Sequence, residues 1–476
     1  MSTEFDEIAS IVLDEFGKLP AKRKPCVRDN GLHEWVPLSG IVAKGPGWSR
    51  CVALATGMKC LPASKLPQAS GTAIHDWHAE VLAIRAFNYF VLEECRRLAL
   101  GNKADKKSDF IRRRTDVELE GHAHEDPWHG QPFAWREDVS LHMYCSEAPC
   151  GDASMELIMA AQDDASPWDL PPPEPLPDND VQDIGQFNQT GAEPSESLLG
   201  RGYFSQLGIV RRKPSRGDAP PSLSKSCSDK LALKQCTSLL SSLSSLLVLP
   251  SSAYLTSIIL PESQYSSTGC QRCFSQEGRM NPLLPYLLKS KTTEVADSHS
   301  AAMSETWRNS GYAFSPFAIE TTKLEFDFSK RTATAKAAAE QAQKGGTTSG
   351  SKIVASNLAV AWTANGLNVG LIGGVLQGRK KFDLKGASAV SRRKTWRLAA
   401  QVAEGLAALS GARSDGGEEA DLLVKSLLSN QDATYDEIKE CSLLRGRKAI
   451  KEEARREALK GWVKNIGDGG FRLSDQ

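Results

Sequence analysis

The sequence predicts one α/β domain, residues 1–476, enlarged by insertions. Helix-like and strand-like patterns alternate along the chain, as they do in folds whose helices pack on a sheet. The connecting segments are uneven in length, and no internal repeat is found. The composition is 40% hydrophobic and 24% charged. This is the composition of a globular protein, and it excludes a fibrous or wholly disordered chain.

The first elements are a helix and two strands. Apolar residues recur at helical spacing over residues 5–16, and Pro20 follows this pattern. Trp35–Val42 and Cys51–Thr56 are apolar runs of strand length. We therefore expect these two runs to form neighbouring strands behind an N-terminal helix.

Later elements continue the alternation. A helical pattern with an apolar face extends over His75–Leu100, and the apolar run Val139–Cys145 predicts a buried strand. The dipeptide Asn365–Gly366 favours a tight turn and predicts a hairpin within Asn357–Leu376. The last hundred residues are rich in Ala, Leu, Lys, Arg and Glu, so we expect them to be mostly helical.

Three segments interrupt this pattern. Residues 101–138 are polar, charged and rich in His and Pro, which predicts a surface insertion. Residues 161–200 are acidic and Pro-rich without apolar periodicity, which predicts disorder. Residues 237–310 begin with a Ser/Leu-rich stretch of low complexity and are expected to contain a helix end, a linker and a further insertion.

Charge and cysteine content limit the class of protein. Lys+Arg and Asp+Glu are 58 each, which excludes a generally basic surface but permits a local basic patch. No apolar run reaches eighteen residues and the first ten lack a signal sequence, so no membrane contact is expected. The eleven cysteines are then expected to be reduced in an intracellular protein of the cytoplasm or nucleus.

Three short motifs supply metal-ligand chemistry. They are His78-Ala-Glu80 at the start of a helical pattern, Cys150 after the predicted strand, and Cys227 at the start of another helical pattern. One histidine and two cysteines leave a fourth position for water, which is typical of catalytic zinc. A helix start favours the thiolate, and Glu80 is free to act on the water.

The motifs match a known signature only in part. Zinc deaminases combine H-x-E with P-C-x-x-C, but the residue three past Cys150 is Ala153. We therefore expect Cys227 to supply the missing ligand. Cys270 and Cys273 look like half of a zinc ribbon, but no second pair lies near them in the sequence.

Together, the segments Gly71–Leu82, Pro149–Asp152 and Ser226–Lys230 resemble the adenosine deaminases that act on RNA. The resemblance covers about residues 20–473. It is greatest to the branch that acts on tRNA, and it extends to blocks such as Ala55–Pro62 and Gly208–Pro221. No separate duplex-binding domain is expected, which supports the same branch. It implies a cytidine-deaminase-like zinc-binding core, a mixed sheet flanked by helices, with a helical C-terminal part.

The resemblance also implies an activity. It is the conversion of adenosine to inosine in tRNA, at the position 3′ of the anticodon (position 37) of tRNA-Ala. Zinc held by His78, Cys150 and Cys227 would activate water for attack on C6 of adenine. Glu80 would carry protons from the water to the ring nitrogen and the leaving ammonia. No obligate protein partner is expected.

RNA contacts are predicted beside the third ligand. The resemblance places Lys59 near the substrate, and a basic cluster precedes Cys227. The cluster consists of Arg201, Arg211, Arg212, Lys213 and Arg216. A solvated charged loop is the alternative interpretation of this cluster.

A second cofactor, inositol hexakisphosphate, is implied by the resemblance alone. The residues that would line it are Arg85, Lys230, Tyr435, Lys439 and Trp462. A relay through Asp76 and Lys230 would connect it to the zinc site. Whether Lys394, Arg445 or Lys448 also contributes is open, and an ordinary basic helical surface is the alternative.

Three other functions are weighed against tRNA deamination. The first is deamination of a messenger or duplex RNA. The second is a catalytically silent RNA-binding protein, which the presence of Glu80 and three ligand candidates disfavours. The third is a nucleoside or cytidine deaminase, which the separated third ligand disfavours.

Overall fold

A computed structural model provides the structure of the protein. Within the ranges that it describes, no helix is both long enough and apolar enough to cross a membrane. The described ranges are 3–100, 107–120, 128–161, 198–199, 206–213, 219–287, 305–308, 310–343, 352–409 and 415–475.

Helices and strands alternate along these ranges, as predicted. The helices are α1 (Glu4–Gly17), α2 (Ala79–Leu100), α3 (Asp116–Leu119), α4 (Met155–Ala160), α5 (Cys227–Thr237), α6 (Ser242–Leu247), α7 (Ser267–Phe274), α8 (Glu305–Arg308), α9 (Lys330–Gln343), α10 (Arg392–Leu409), α11 (Asp415–Leu428), α12 (Tyr435–Lys439) and α13 (Arg445–Glu457). The strands are β1 (His33–Trp35), β2 (Leu38–Gly45), β3 (Trp48–Thr56), β4 (Ile111–Arg113), β5 (Phe133–Trp135), β6 (Ser140–Cys145), β7 (Leu198–Leu199), β8 (Arg211–Arg212), β9 (Val248–Leu249), β10 (Leu255–Pro261), β11 (Ala318–Thr322), β12 (Ile353–Ala355), β13 (Leu358–Thr363), β14 (Asn368–Ile372) and β15 (Val375–Leu376).

An eight-stranded sheet forms the centre of the described structure, in the order β11-β10-β6-β2-β3-β13-β14-β15. Strands β6, β10 and β11 are parallel to one another. The remaining neighbours are antiparallel. The sheet is therefore mixed, as predicted, and β15 is one of its edges. There are three smaller sheets in the described structure. Two of them pair β1 with β12 and β7 with β8, and the third has the order β4-β5-β9.

Different helices cover the two faces of the sheet. Alternate residues of β2 and β3 belong to separate apolar clusters, one packed under α2 and the other under α1. α1 lies so close to β2 that a Cβ at Gly40 would come within 2.4 Å of Val12 Cγ1. α10 packs on α2 from outside. The start of α2 is thus fixed between the sheet and an outer helical layer.

Most predicted elements are confirmed. The N-terminal helix, the two strands after it, the strand before Cys150 and the hairpin turning at Asn365–Gly366 are all present. The second helix begins at Ala79, whereas the pattern predicted a start at His75. His75 and Trp77 are instead held by backbone hydrogen bonds to Leu61 and Lys59, and the helix start at Ala79 is held by one to Gly57. The C-terminal part is mostly helical, as predicted.

Two predicted insertions are corrected by the structure. Within 101–138, the described residues include Phe110, Phe133 and Trp135, all buried in the main core. Segment 237–310 contains the buried helix α6 and the strand β10 of the central sheet. The buried residues of these segments are mainly aromatic and Leu side chains that stand among polar residues. The polar composition of the segments therefore gave no sign that they belong to the core. Segment 161–200 lies almost wholly outside the described residues.

Candidate active site

The three predicted metal ligands come from three different element ends. His78 directly precedes α2, Cys150 lies in the loop after β6, and Cys227 is the first residue of α5. Their ligand atoms all lie within 4.8 Å of one another. In the described part of the chain, this is the one group of three or more His, Cys, Asp or Glu side chains close enough to hold a metal.

The distances fit a zinc ion. Cys150 Sγ lies 3.6 Å from His78 Nδ1. Zinc binds sulfur at about 2.3 Å and histidine nitrogen at about 2.0 Å, so a tetrahedral ion would hold these atoms about 3.5 Å apart. A donor set of one imidazole and two thiolates is also one that zinc prefers. The residues present therefore fit zinc.

Backbone geometry brings the two cysteines together. Gly151 has a φ of +107°, and a Cβ there would lie 2.3 Å from Ser226 Oγ, so the loop requires glycine. The backbone N–H of Cys227 donates to Cys150 Sγ at 3.4 Å. The sulfur of Cys150 thus sits at the N-terminus of α5, where a helix favours negative charge.

The two thiols have opposite pKa shifts. A hydrogen bond from Cys227, the positive charge of Lys213 and a hydrogen bond with His78 hold the pKa of Cys150 well below its usual range. Burial raises the pKa of Cys227, and its contact with the negative Cys150 raises it further. A divalent cation between the two sulfurs would favour the thiolate form of both.

Glu80 lies beside the ligands. Its side chain is 6% exposed, and Oε2 accepts a hydrogen bond from Cys227 Sγ at 3.2 Å. Burial raises the pKa of Glu80, and the negative charge of Cys150 raises it further. A carboxyl group with a raised pKa is suited to proton transfer near neutral pH.

Asp76 is buried between two lysines. Its Oδ2 accepts from Lys213 Nζ at 2.8 Å and from Lys230 Nζ, while Oδ1 accepts from the backbone N–H of His78 at 3.0 Å. Lys213 Nζ also lies 3.4 Å from Cys227 Sγ. The contact between Asp76 and Lys230 is the one that the predicted relay requires. The structure adds Lys213 to this network.

The position of Lys213 corrects a prediction. Lys213 is 4% exposed and Arg211 is 1% exposed, so neither side chain lies on a surface that RNA could contact. The nearby carboxylate and sulfur atoms explain why Lys213 is buried. Arg212 is half-buried, whereas Arg201 and Arg216 lie outside the described residues. Lys59 lies beside the catalytic loop, because its carbonyl accepts from the backbone N–H of Trp77 at 3.0 Å.

Two arginines of one segment hold both cysteine loops. Arg272 Nε donates to Asp152 Oδ2 at 3.0 Å, and Arg279 Nη1 donates to Asp229 Oδ1 at 2.7 Å. Both aspartates are buried, and each lies two residues after a ligand cysteine. The segment that begins with α7, predicted to be an insertion, therefore helps to position the metal site. Cys270 and Cys273 of α7 are buried, and within the described ranges no group of metal ligands includes them.

A second group of charged side chains lies beyond Lys230. It brings together the five residues predicted to line inositol hexakisphosphate and adds further lysines and an arginine. This cation cluster consists of Arg85, Lys225, Lys230, Lys234, Lys439, Lys451 and Arg455, with the rings of Tyr435 and Trp462. Lys225 Nζ lies 5.4 Å and Arg455 Cζ 4.8 Å from the ring centroid of Trp462.

The cations of this cluster destabilise one another. Burial and the charge of Lys230 lower the pKa of Lys225 to about 7. Burial and the charges of Arg447 and Arg455 lower the pKa of Lys451 to about 7. Buried like charges are unfavourable unless an opposite charge joins them. The cluster therefore fits a polyanion.

Lys225, Lys451 and Arg455 were missed in the sequence, although a signal was present. Lys225 lies two residues before a ligand cysteine. Lys451 and Arg455 are four residues apart on α13 and so share one face of that helix. Lys448, by contrast, is 46% exposed and paired with Glu440, outside the cluster.

The fold and the site define a deaminase class. Residues 53–466 match the family described as the adenosine-deaminase (editase) domain. This match covers most of the chain, and the chain therefore belongs to that family.

The chain is also similar in sequence to individual proteins of this family. The chain is 37% identical over 283 residues to the tRNA-specific adenosine deaminase 1 of Schizosaccharomyces pombe, covering 59% of this chain and 63% of the relative. It is 32% identical over 244 residues to the protein of that name from Saccharomyces cerevisiae, covering 50% and 54%. A mouse double-stranded RNA-specific editase B2 is 29% identical over 106 residues, 22% of this chain and 12% of the relative. The matched segments thus span less than two thirds of each relative.

Proposed function

We propose that the protein is a zinc-dependent tRNA deaminase that hydrolyses adenosine to inosine and ammonia. The observation that carries this proposal is the meeting of His78, Cys150 and Cys227 within 4.8 Å, with the carboxylate of Glu80 beside them. Adenosine and tRNA come from the names of the relatives. The proposal includes a cytidine-deaminase-like core around this site.

The roles of the residues follow from their contacts. His78, Cys150 and Cys227 would hold zinc, which when bound lowers the pKa of a coordinated water toward neutrality. Glu80 would accept one proton from the attacking water and deliver it to the ring nitrogen, and would then carry the second proton of the same oxygen to the departing amino group. The water oxygen remains on C6, and the bond from C6 to nitrogen breaks to release ammonia. The positive charge of Lys213 favours the thiolate of Cys227.

The proposed target is the adenosine 3′ of the anticodon, position 37 of tRNA-Ala. A base must leave its stack to enter a buried site, and a loop nucleotide does so at lower cost than a paired one. The match to the two yeast tRNA-specific relatives is also longer than the match to the double-stranded RNA editase.

A direct competition of substrates tests this choice. Purified protein is incubated with tRNA-Ala, with the same tRNA carrying guanosine at position 37, and with a duplex hairpin. Inosine is then measured by mass spectrometry of nucleosides. We expect inosine from the first RNA alone. Faster reaction of the hairpin would favour the duplex-editing alternative, and inosine in the guanosine-37 tRNA would place the target elsewhere.

We infer further that the cation cluster holds inositol hexakisphosphate. Its lysines and arginines, which are buried or partly buried, supply the charge that six phosphate groups need, and Arg455 Nε is buried without a hydrogen-bond partner among the described residues. Lys230 contacts Asp76, so the bound anion would stabilise the charged form of the relay next to His78. Mass spectrometry of small molecules released by acid from purified protein tests this inference.

A further inference from the structure

Exposed cations cluster at the β15 edge of the central sheet. They come from two segments distant in sequence, which are joined where Arg23 Nη1 donates to Gln377 Oε1 at 2.9 Å. A cleft of about 400 Å³ opens between them. The residues of this edge patch are Lys22, Arg23, Arg379, Lys380 and Lys381.

The edge patch lacks neighbouring negative charge. Among the residues that the structure describes, none of its five cations has a carboxylate within 4.0 Å. Exposed cations elsewhere are often paired, as Arg50 is with Asp109 at 2.8 Å and Lys336 with Asp327 at 3.2 Å. In a chain with a net charge of zero, this concentration of unpaired cations creates a local positive potential.

The edge patch adjoins the catalytic loop. The β14–β15 turn carries Lys381 on one side, where a Cβ at Gly373 would lie 2.7 Å from Lys381 Cε. On the other side, the carbonyl of Gly374 accepts from the backbone N–H of Ile74 at 2.8 Å. Ile74 lies four residues before His78 in the loop that leads to the metal ligands. One short turn therefore connects the cations to the loop that leads to the metal ligands.

We propose that the edge patch binds backbone phosphates of the RNA substrate beside the nucleotide that is deaminated. This inference rests on the proposed function. RNA is favoured over an acidic protein because the proposed reaction brings an RNA backbone to the catalytic loop, and the β14–β15 turn joins that loop to these cations. Lysine and arginine side chains commonly contact nucleic-acid phosphates, and those of the edge patch have, among the described residues, no carboxylate partner that would compete.

Salt-dependent RNA binding tests the proposal. The variant carries Arg379→Gln, Lys380→Gln and Lys381→Gln, and its affinity for tRNA is measured over a series of salt concentrations. We expect affinity to fall about tenfold or more at low salt. Each lost phosphate contact lowers the slope of log affinity against log salt by about 0.7–0.9, so the slope should fall by about 2. In kinetics the loss should appear in KM rather than kcat.

A matched control separates local contact from net charge. Arg50→Gln, Arg96→Gln and Arg136→Gln together remove the same charge from exposed positions toward the ends of β3, α2 and β6 farthest from the zinc ligands. This triple variant should bind tRNA as the unaltered protein does. Zinc content shows that both variants are folded.

The proposal is overturned if the edge-patch variant binds tRNA within twofold of the unaltered protein with the same salt slope. That result would leave the edge patch to another partner, such as an acidic protein. Equal losses in both triple variants would also overturn it, because the effect would then be one of net charge. Failure of the unaltered protein to deaminate tRNA would instead contradict the proposed function, and it is read from a separate assay.

Discussion

The metal centre and the cation cluster are neighbours that differ in charge balance. Around the metal centre three buried aspartates each face a cation of the same chain. These pairs are Asp76 with Lys213, Asp152 with Arg272, and Asp229 with Arg279. In the cation cluster, burial and neighbouring cations lower the pKa of Lys225 and of Lys451 to about 7. Lys230 and Lys439 of the same cluster are paired with Asp76 and Asp436.

This difference shows what each region needs from outside the chain. The three ligands of the metal centre would hold a cation, and the three aspartates around them are already paired within the chain. The cation cluster needs additional negative charge. Lys230 belongs to the cluster and contacts Asp76 of the metal centre, so the charge state of one region acts on the other. We therefore expect the cluster's anion to support the geometry around His78.

The largest effect is expected when a metal ligand is removed. Cys227→Ala should lose zinc and, with it, all measurable deamination, while inositol phosphate stays bound. Elemental analysis and nucleoside mass spectrometry measure both effects. Cys270→Ala is the matched control, because Cys270 is also buried but lies outside the metal group. Full zinc in Cys227→Ala together with loss in Cys270→Ala would show that the ligand assignment is wrong.

Removing the proton carrier separates catalysis from metal binding. Glu80→Ala should reduce the rate at or beyond the upper end of the range of about 10²–10⁴ that general acid–base catalysis supplies. Zinc content and tRNA affinity should stay near normal, because Glu80 is not one of the three grouped ligands. Glu93→Ala, on the same helix but paired with Arg96, is the control. Near-normal turnover would remove Glu80 from the mechanism, and lost zinc would make it structural.

Removing one positive charge from the cation cluster tests whether the cluster binds an anion. Lys451→Ala should lower the inositol phosphate content and the thermal midpoint of the purified protein, because a bound ligand stabilises the folded state. Lys448→Ala is the control, since Lys448 is on the same helix, exposed and paired with Glu440. Active protein that releases no inositol phosphate on acid extraction would contradict the anion assignment.

The pKa shifts predict the direction in which stability changes with pH. Lys225 and Lys451 have pKa values of about 7 in the fold, against about 10.4 in an unfolded chain. Between these values the folded state binds fewer protons than the unfolded state, so the stability of anion-free protein should rise from about pH 7 to about pH 10. Below pH 7 the repulsion is present in full. The bound anion should flatten this rise, and identical thermal profiles with and without anion would refute the account.

The smallest expected effect comes from the arginine pairs. Arg279→Met leaves Asp229 buried without its partner and should loosen the Cys227 loop. Zinc release to a chelator should accelerate about tenfold, and Arg279→Lys should restore part of the difference. Arg456→Met, an exposed arginine of α13 paired with Glu457, serves as the control. Equal release rates for Arg279→Met and the unaltered protein would show that the Cys227 loop does not depend on the pair between Arg279 and Asp229.

Much of the fold could be predicted because periodicity and turn signals were strong. The apolar face of α2 and the Asn365–Gly366 turn each indicated one structure. Segment 101–138 was misjudged because its core residues are separated by polar ones, and segment 237–310 because its serine-rich composition conceals many buried apolar residues. Burial of Trp135 and β10 depends on partners far along the chain, which local composition does not reveal.

The site was predictable in its ligands but less so in its surroundings. Zinc chemistry limits ligand types, so short motifs indicated His78, Cys150 and Cys227. The role of Lys213 could not be read locally, because a basic run before Cys227 suggests a surface until the fold brings Asp76 against it. The edge patch likewise joins residues more than 350 positions apart in the sequence, as the contact between Arg23 and Gln377 shows.

The central claim is hydrolytic deamination of adenosine at the metal centre, and isotope transfer from water tests it most directly. Purified protein is incubated with tRNA-Ala in water enriched in oxygen-18, and the nucleosides are separated by mass. The account predicts inosine with one heavy oxygen at C6 and one ammonia released per inosine, and neither product with Glu80→Ala. Unlabelled inosine, or no inosine from zinc-loaded protein, would contradict it.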